Sequence, residues 1–408
     1  MYTNLDIVFL GGLFPKEKED EILGNSIGGI QNAANNLQWE LVMGLNSNLE
    51  KPVKIINSLY IGSFPKRYKK IVIDTYNFSN YTDNRDNINV GFLNITGIKN
   101  ISRYITLKPY LKDWALSTSN KKKIIIAYAM TSTFTHLLEY VKKVNSDVIT
   151  CLVVPDLPQY MNLSGNRNYI YNNLKKVELK LINRNMEYID CYVLLTNYMR
   201  QALNINVPSV VVEGISTNIF DKVDYIPQKE GIKTVLYSGG LNEKYGVVDL
   251  VKAFEKLPAN NYRLIICGSG EAEEVIRRAC KRDKRIIFKG LLKRDEVLQL
   301  QKSSTILVNP RPNNEEYTKY SFPSKIMEYM SSGTPVIAFM LDGMPKEYGD
   351  YIYPIIEGKD GLFLTLDKTL SKSEKELYEK GSKAKEFVLS QKNNVKQVEK
   401  ILNMINKL

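Results

Sequence analysis

The stretch that decides the fold is Tyr-Ser-Phe-Pro-Ser-Lys-Ile-Met-Glu-Tyr-Met-Ser-Ser-Gly-Thr-Pro-Val-Ile-Ala, residues 320–338. It reads as a short helix that carries its own start and stop. Pro323 suits the first helical position, where a missing N–H costs nothing. Gly333 suits the position just past the end, and Pro335 forbids the helix from continuing, so that a buried strand starts over 335–338. At about 100° per residue, Ile326, Met327 and Met330 share the core side, while Ser324, Lys325 and Glu328 share the open side near the helix N-terminus. Free N–H groups and the positive end of the macrodipole attract anions there. Lys325 adds a point charge suited to phosphate, and Glu328 can accept two hydrogen bonds from a ribose diol. A diphosphate beside a ribose is the tail of a nucleotide sugar. The same residue types on a helix face are ordinarily only solvated, so the residues alone leave both readings open.

Residues 322–336, Phe-Pro-Ser-Lys-Ile-Met-Glu-Tyr-Met-Ser-Ser-Gly-Thr-Pro-Val, resemble the donor-binding helix of retaining glycosyltransferases of the GT-B fold. These are the family 4 type (group 1), related to bacterial polysaccharide-assembly enzymes. Many members carry two glutamates separated by seven residues. Glu328 matches the second, and Tyr320 stands where the first would be and cannot act as a carboxylate. A subset with a Phe-Pro-Ser-Lys signature is closer, including Asn309-Pro310-Arg311 upstream and Gly343-Met-Pro-Lys-Glu-Tyr348 downstream. The resemblance is strongest over about 234–350. It implies an α/β architecture of two Rossmann-like doubly wound domains facing across a cleft. In that layout residues 1–214 take the acceptor, 215–388 take the nucleotide sugar, and 389–408 form a helix that packs back on the first domain.

The length of 408 residues suits two domains by itself. With 44% hydrophobic and 25% charged residues the chain is globular and not disordered. No apolar run approaches the roughly 20 residues of a spanning helix, and no signal peptide is visible, so a cytoplasmic location is expected. Cys151, Cys191, Cys267 and Cys280 show neither metal nor disulfide spacing. The net charge of +12 invites an anionic partner. No nucleic-acid motif accompanies it, which leaves a peripheral contact with an anionic membrane or a merely basic enzyme.

In chain order, residues 4–10 read as an apolar strand ending in Gly11-Gly12, and Gly28-Gly29 opens a helical pattern after a charged loop. Strand, glycine-rich loop and helix begin a doubly wound unit. Strands are expected at 53–56, 70–73 and 124–128. The turn after the last of these holds Thr131 and precedes the only histidine, His136. A strand over 148–154 ends in Asp156. A lysine-bearing helix over 174–186 is a candidate lipid contact. In the resemblance Gly11, Gly12, Gly28, Gly29, Thr131, His136 and Asp156 form the acceptor or sugar side. On the residues alone, turn, cap and packing roles are as good.

The second half opens with a strand over 234–238 and a turn at Gly239-Gly240, whose N–H groups can meet a phosphate. Family members commonly place an arginine and a lysine in this loop. Here those positions hold Gly240 and Tyr245, with Lys244 displaced by one, so Arg311 and Lys325 are the expected replacements. Gly268-Ser-Gly270 imitates a dinucleotide fingerprint, but Glu273 occupies the third glycine's place and Glu271 and Glu274 would repel phosphate. The resemblance assigns Gly290, Leu291 and Leu292 to the base, and Tyr320, Ser321, Phe322, Ser324 and Ile326 to the donor alongside Lys325 and Glu328. Beyond Tyr348 no strand pattern is legible, and 371–391 and 394–408 read as two amphipathic helices.

The reading that results is transfer of a hexosyl unit, with retention, from a UDP-sugar or related donor to a saccharide acceptor, lipid-linked in surface polysaccharide synthesis. Lys325, Arg311 and Glu328 carry the chemistry, with no metal or other cofactor. A nucleotide-sugar-binding partner without turnover and a sugar-nucleotide epimerase remain as alternatives, and a nucleic-acid binder stands on charge alone.

Overall fold

A computed structural model of the chain describes residues 2–28, 30–80, 86–157, 169–225 and 231–408. It divides into two compact units, Met1–Glu213 with Asn394–Leu408, and Gly214–Asn393.

The first unit contains β1 (Leu5–Gly11), β2 (Lys54–Asn57), β3 (Val72–Ile73), β4 (Tyr76–Phe78), β5 (Asn87–Asn89), β6 (Phe92–Leu93), β7 (Lys122–Tyr128), β8 (Ile149–Val154), β9 (Cys191–Leu194) and β10 (Ser209–Val211). Eight of these form one sheet in the order β10-β9-β8-β7-β1-β2-β5-β4. Every neighbouring pair in it is parallel except β4 with β5. Strands such as β7 and β8 are buried along almost their whole length, which is why they read as unbroken apolar runs. The strand order reverses at β1, so the carboxyl end of β1, at Gly11, is the crevice where such sheets accept ligands.

Several expectations need correction here. The strand foreseen over 70–73 shrinks to β3, which pairs antiparallel with β6 in a separate two-stranded sheet. The charged loop after β1 is largely helical, with a helix at Glu19–Asn25 supported by an acidic first turn. The long helix begins at Asn32 and not at the glycines. The terminal helix Asn394–Ile405 lies along Asn32–Asn48 within this unit. Gly44 permits the approach, since a Cβ there would lie 2.4 Å from the Asn394 carbonyl oxygen. Tyr2 Oη donates to Asn403 (2.6 Å), Asn394 donates to Glu40 (3.0 Å) and buried Gln397 donates to Glu213 (3.1 Å), fixing the same helix.

The second unit contains β11 (Lys233–Ser238), β12 (Tyr262–Cys267), β13 (Ile286–Gly290), β14 (Ile306–Asn309), β15 (Val336–Ala338) and β16 (Tyr353–Pro354). All are parallel, in the order β13-β12-β11-β14-β15-β16, the doubly wound order that switches between β11 and β14. Side chains alternate between two apolar layers: Val235 joins Phe254, Ile276 and Leu366 on one face, and Leu236 joins Ile326, Met330 and Tyr348 on the other. The region beyond Tyr348 is not purely helical as expected. It supplies the edge strand β16 and a helix at Gly361–Leu370 before Glu374–Gln391.

Candidate functional site

The switch point of the second unit brings together the carboxyl ends of β11 (Ser238) and β14 (Asn309) and the helix Ser324–Ser331. That helix buries Ile326, Met327 and Met330 as its periodicity requires, and Tyr329 as well. Pro323 is the cap residue and not the first helical one, and no side chain caps the amides that follow. The N–H groups of Ser324 and Lys325 therefore face outward at the positive end of the dipole. At the other end Gly333, at φ +80°, closes the helix as the left-handed residue beyond the C-cap.

Glu328 is embedded in a network the sequence did not reveal. Its Oε1 accepts from Gln301 Nε2 (2.7 Å) and Lys325 Nζ (3.1 Å), and its Oε2 accepts from Arg294 (3.1 Å). Burial alone would raise its pKa, but Lys325, the Gln301 hydrogen bond and Arg294 outweigh it and hold the carboxyl below the usual glutamate range. The carboxylate read in the sequence as an acceptor for a ribose diol is thus already engaged by protein donors. A ribose diol would have to displace Arg294, whose side chain is 60% exposed, or share the site with Lys325.

Gln301, wholly buried, also donates to Ser238 Oγ (3.0 Å). The buried Tyr329 hydroxyl donates to the Ser238 carbonyl (3.0 Å) and accepts from the Ser238 N–H (3.0 Å). One polar chain thus joins the end of β11 to Glu328. Gln301 and Arg294 were missed because the helix at Arg294–Ser303 shows only an amphipathic pattern in sequence, and Tyr329, on the helix already singled out, gives no local sign of its partner Ser238.

The Gly239-Gly240 turn offers less to a phosphate than expected. The Gly239 N–H donates to the Cys267 carbonyl (3.0 Å) and the Leu241 N–H to the Ser269 carbonyl (2.9 Å). Gly268 and Gly270 are there for packing: a Cβ on Gly268 would fall 1.8 Å from the Gly239 carbonyl oxygen. Gly246, at φ +75°, presses on the Pro310 carbonyl and holds the two loops together. Lys244 is exposed on a short 3-10 turn, Glu243–Tyr245.

Arg311 is half-buried between Tyr245 and Tyr317, 5.9 and 5.0 Å from their ring centres. Its Nη2 donates to Ser321 Oγ (3.3 Å), while its buried Nε has no acceptor among the described residues. Tyr320, the counterpart of the first glutamate, is half-buried at the end of the turn Glu316–Tyr320, and Phe322 packs on Tyr348. After β13, Gly290 has φ +68°, Leu291 is 80% exposed and Leu292 tucks against the core.

In the first unit the glycines at the end of β1 are held by neighbours. The Gly12 N–H donates to buried Gln38 Oε1 (2.7 Å), and a Cβ on Gly12 would lie 2.2 Å from the Tyr60 ring. Tyr60 Oη donates to the Tyr128 carbonyl (2.7 Å), and burial pushes its pKa up to about 12. Buried Arg103 lies over the Tyr60 and Phe134 rings (5.1 and 5.7 Å) and donates to Ser58 Oγ (2.8 Å). Thr131 caps the helix Ser132–Val144 through Phe134 N–H. His136 Nδ1 is 2.8 Å from the Ser132 carbonyl and its ring meets Tyr104 edge-on, so it is packed as a helix residue. Asp156 is exposed just past β8. Gly28, at φ +84°, is unobstructed, and Gly29 lies outside the described residues.

Two doubly wound α/β units, the second with an uncapped helix bearing Lys325 at its switch point, make the GT-B fold. Residues 232–370 match the family described as Glycosyl transferases group 1, which spans the whole of this site, and the protein is accordingly a glycosyltransferase. Solved structures agree on the fold over nearly the full chain. The lipopolysaccharide outer core galactosyltransferase WaaB, in its apo form, is similar with a TM-score of 0.61 at 15% identity, covering 98% of this chain and 99% of that one. Sucrose-phosphate synthase from Thermosynechococcus elongatus gives 0.59 at 14%, with 98% of each chain covered. Anabaena HepE in complex with UDP gives 0.57 at 13%, covering 99% and 100%. No curated protein matches the chain in sequence.

Proposed function

We propose that the protein transfers a hexosyl unit, with retention of configuration, from a UDP-sugar to a saccharide acceptor during assembly of a bacterial surface polysaccharide, the acceptor being lipid-linked. The observation that carries the donor reading is Glu328, ionised and set one turn inside an uncapped helix N-terminus that bears Lys325. In this reading the ribose diol takes the place of Arg294 on Glu328, and Lys325 turns from the carboxylate to the diphosphate. The difficulty of the reaction is negative charge growing on the leaving diphosphate while an oxocarbenium-like sugar forms. The Ser324 and Lys325 amides, Lys325 Nζ and the Arg311 guanidinium meet that charge, so the reading needs no metal. Uracil is favoured over other bases because a protein of the same fold was solved with UDP bound.

Calorimetric titration with UDP, GDP and ADP tests the reading on wild type and Glu328→Ala. UDP is expected to bind, and the substitution to weaken it by about 1–3 kcal/mol, as for a hydrogen bond to a charged group. UDP affinity unmoved by the substitution would remove the ribose from Glu328. A second reading, a nucleotide-sugar-binding partner without turnover, draws on Tyr320 in the first glutamate's place. UDP-sugar turnover above background excludes it.

A further inference from the structure

We infer that the first unit carries a docking face for an anionic lipid bilayer, built from β3, β6 and the outer side of the helix Lys99–Leu116. The inference goes beyond nucleotide binding, and its surface is separate from the donor residues.

That helix is apolar on part of its outward side as well as on its inward one. Its inward side buries Arg103 with Leu107 and Leu111, while Ile101 and Ile105 on the outward side are 60% and 61% exposed. Ile98, Ile101 and Ile105 follow the spacing of one helix face. Isoleucine on a solvated helix face gives up side-chain freedom without any packing in return. The patch continues onto the small sheet. Val72 pairs with Leu93, the Asn94 N–H donates to the Ile71 carbonyl (2.8 Å), and the Leu93 N–H donates to Ser102 Oγ on the helix (2.9 Å). Ile71, Val72, Leu93 and Ile98 are each more than two-fifths exposed. Single exposed apolar residues are ordinary, but a contiguous set of large aliphatic side chains marks an interaction surface.

Charge around the patch selects the occupant. The loop leading into β3 presents Lys66, Arg67 and Lys69, all exposed, and Phe64 N–H ties that loop to the end of β6 at Asn94 (2.8 Å). Lys112 is exposed further along the helix. None of these four forms an ion pair with a described carboxylate, whereas Lys70 is held by Glu21 (2.6 Å). Asp74 and Asp113 are exposed acids at the margin, and Glu21, on the helix that borders the basic loop, is held by Lys18 and Lys70. Lys69 Nζ donates to the Gly24 carbonyl (2.8 Å) and keeps its charge uncompensated. An apolar stripe rimmed by cations without a carboxylate partner fits the boundary between acyl chains and anionic headgroups. The lysine-bearing helix singled out in the sequence, Tyr169–Asn185, fits less well. Its Lys175 pairs with Glu178 (3.3 Å), its Arg184 approaches Glu139 (3.8 Å), and only Val177 is an exposed large apolar side chain among its described ones.

The basic loop also borders the segment at Gly28 that the sequence reading gave to the acceptor side. Residues 58–71 follow the carboxyl end of β2, and the Ile27 N–H, next to Gly28, donates to the Arg67 carbonyl (3.0 Å).

The test is sedimentation of the full chain with vesicles of equal phosphatidylglycerol and phosphatidylcholine, and with pure phosphatidylcholine, at low and high salt. Wild type is expected to bind the anionic vesicles and to release them at high salt. The double variant Ile101→Ser, Ile105→Ser should bind roughly tenfold or more weakly, since two apolar side chains leave the bilayer. Lys66→Glu with Lys69→Glu should weaken binding and flatten its salt dependence, and Val177→Ser should change nothing. UDP titration and thermal melting on each variant verify folding and separate this inference from the donor reading. Wild type failing to bind anionic vesicles, or the double isoleucine variant binding as wild type does, overturns the proposal. So does a wild-type dimer in analytical ultracentrifugation that the isoleucine substitutions dissolve, which would make the face a contact between copies.

Discussion

Replacing Gln301 by leucine tests whether Glu328 is held ready by its buried neighbour. The substitution removes a hydrogen bond to a charged carboxylate (2.7 Å to Glu328), worth about 1.5–3 kcal/mol, and a neutral one to Ser238 (3.0 Å), worth about 0.5–1.5 kcal/mol. It also removes Gln301 Oε1, a buried acceptor with no partner that costs about 1–3 kcal/mol where it stands. The net loss of stability is therefore about 1–2 kcal/mol, readable in urea unfolding of the whole chain. Binding should respond more clearly than stability. Without the Gln301 donor the Glu328 pKa, now depressed, moves up. Because that folded-state value lies below the ordinary 4.5, the carboxylate stabilises the fold at neutral pH and the contribution is lost as pH falls through the folded value. In Gln301→Leu both the acid loss of stability and the acid loss of UDP affinity should begin at higher pH. UDP affinity at neutral pH should fall about tenfold, equivalent to 1.4 kcal/mol. Gln301→Glu should move the acid limb further, because two carboxylates at that separation share a proton. Identical UDP affinity and identical acid limbs in Gln301→Leu and wild type would refute the idea that the network positions Glu328.

Two further outcomes follow from the first unit. Gly44→Ala places a Cβ 2.4 Å from the Asn394 carbonyl oxygen, so it should destabilise by about 1–3 kcal/mol as an overpacked contact. Faster proteolysis of the terminal helix in the variant checks it. Burial, aided by Arg103, lowers the Lys99 pKa to about 7. Folding then releases a proton between about pH 7 and the unfolded value near 10.5, so stability should rise with pH across that window, by up to about 1.4 kcal/mol per pH unit. Lys99→Met should flatten this rise, measured as the difference in unfolding free energy between the two proteins at several pH values.

The sequence by itself determined a good deal. Unbroken apolar runs such as 124–128 read as strands covered on both faces, and their alternation with helical periods makes a doubly wound unit. The helix at Ser324–Ser331 was legible because proline, glycine and apolar spacing are local signals, and its buried and open sides follow from geometry alone. Strands β16 and β6, and the pairing of β3 with β6, were not legible, because two-residue strands exist only through their partners. The same limit governed the site. Lys325 and Glu328, three positions apart, could be placed together by helix geometry. Gln301, Ser238 and Arg294 reach Glu328 from other elements, and only the packing of the second unit decides that. The Gly239-Gly240 turn shows the converse. Glycines beside a strand suggest a phosphate cradle, yet the fold turns the Gly239 and Leu241 amides to the Cys267 and Ser269 carbonyls, because a buried N–H must find an acceptor wherever the tertiary structure supplies one.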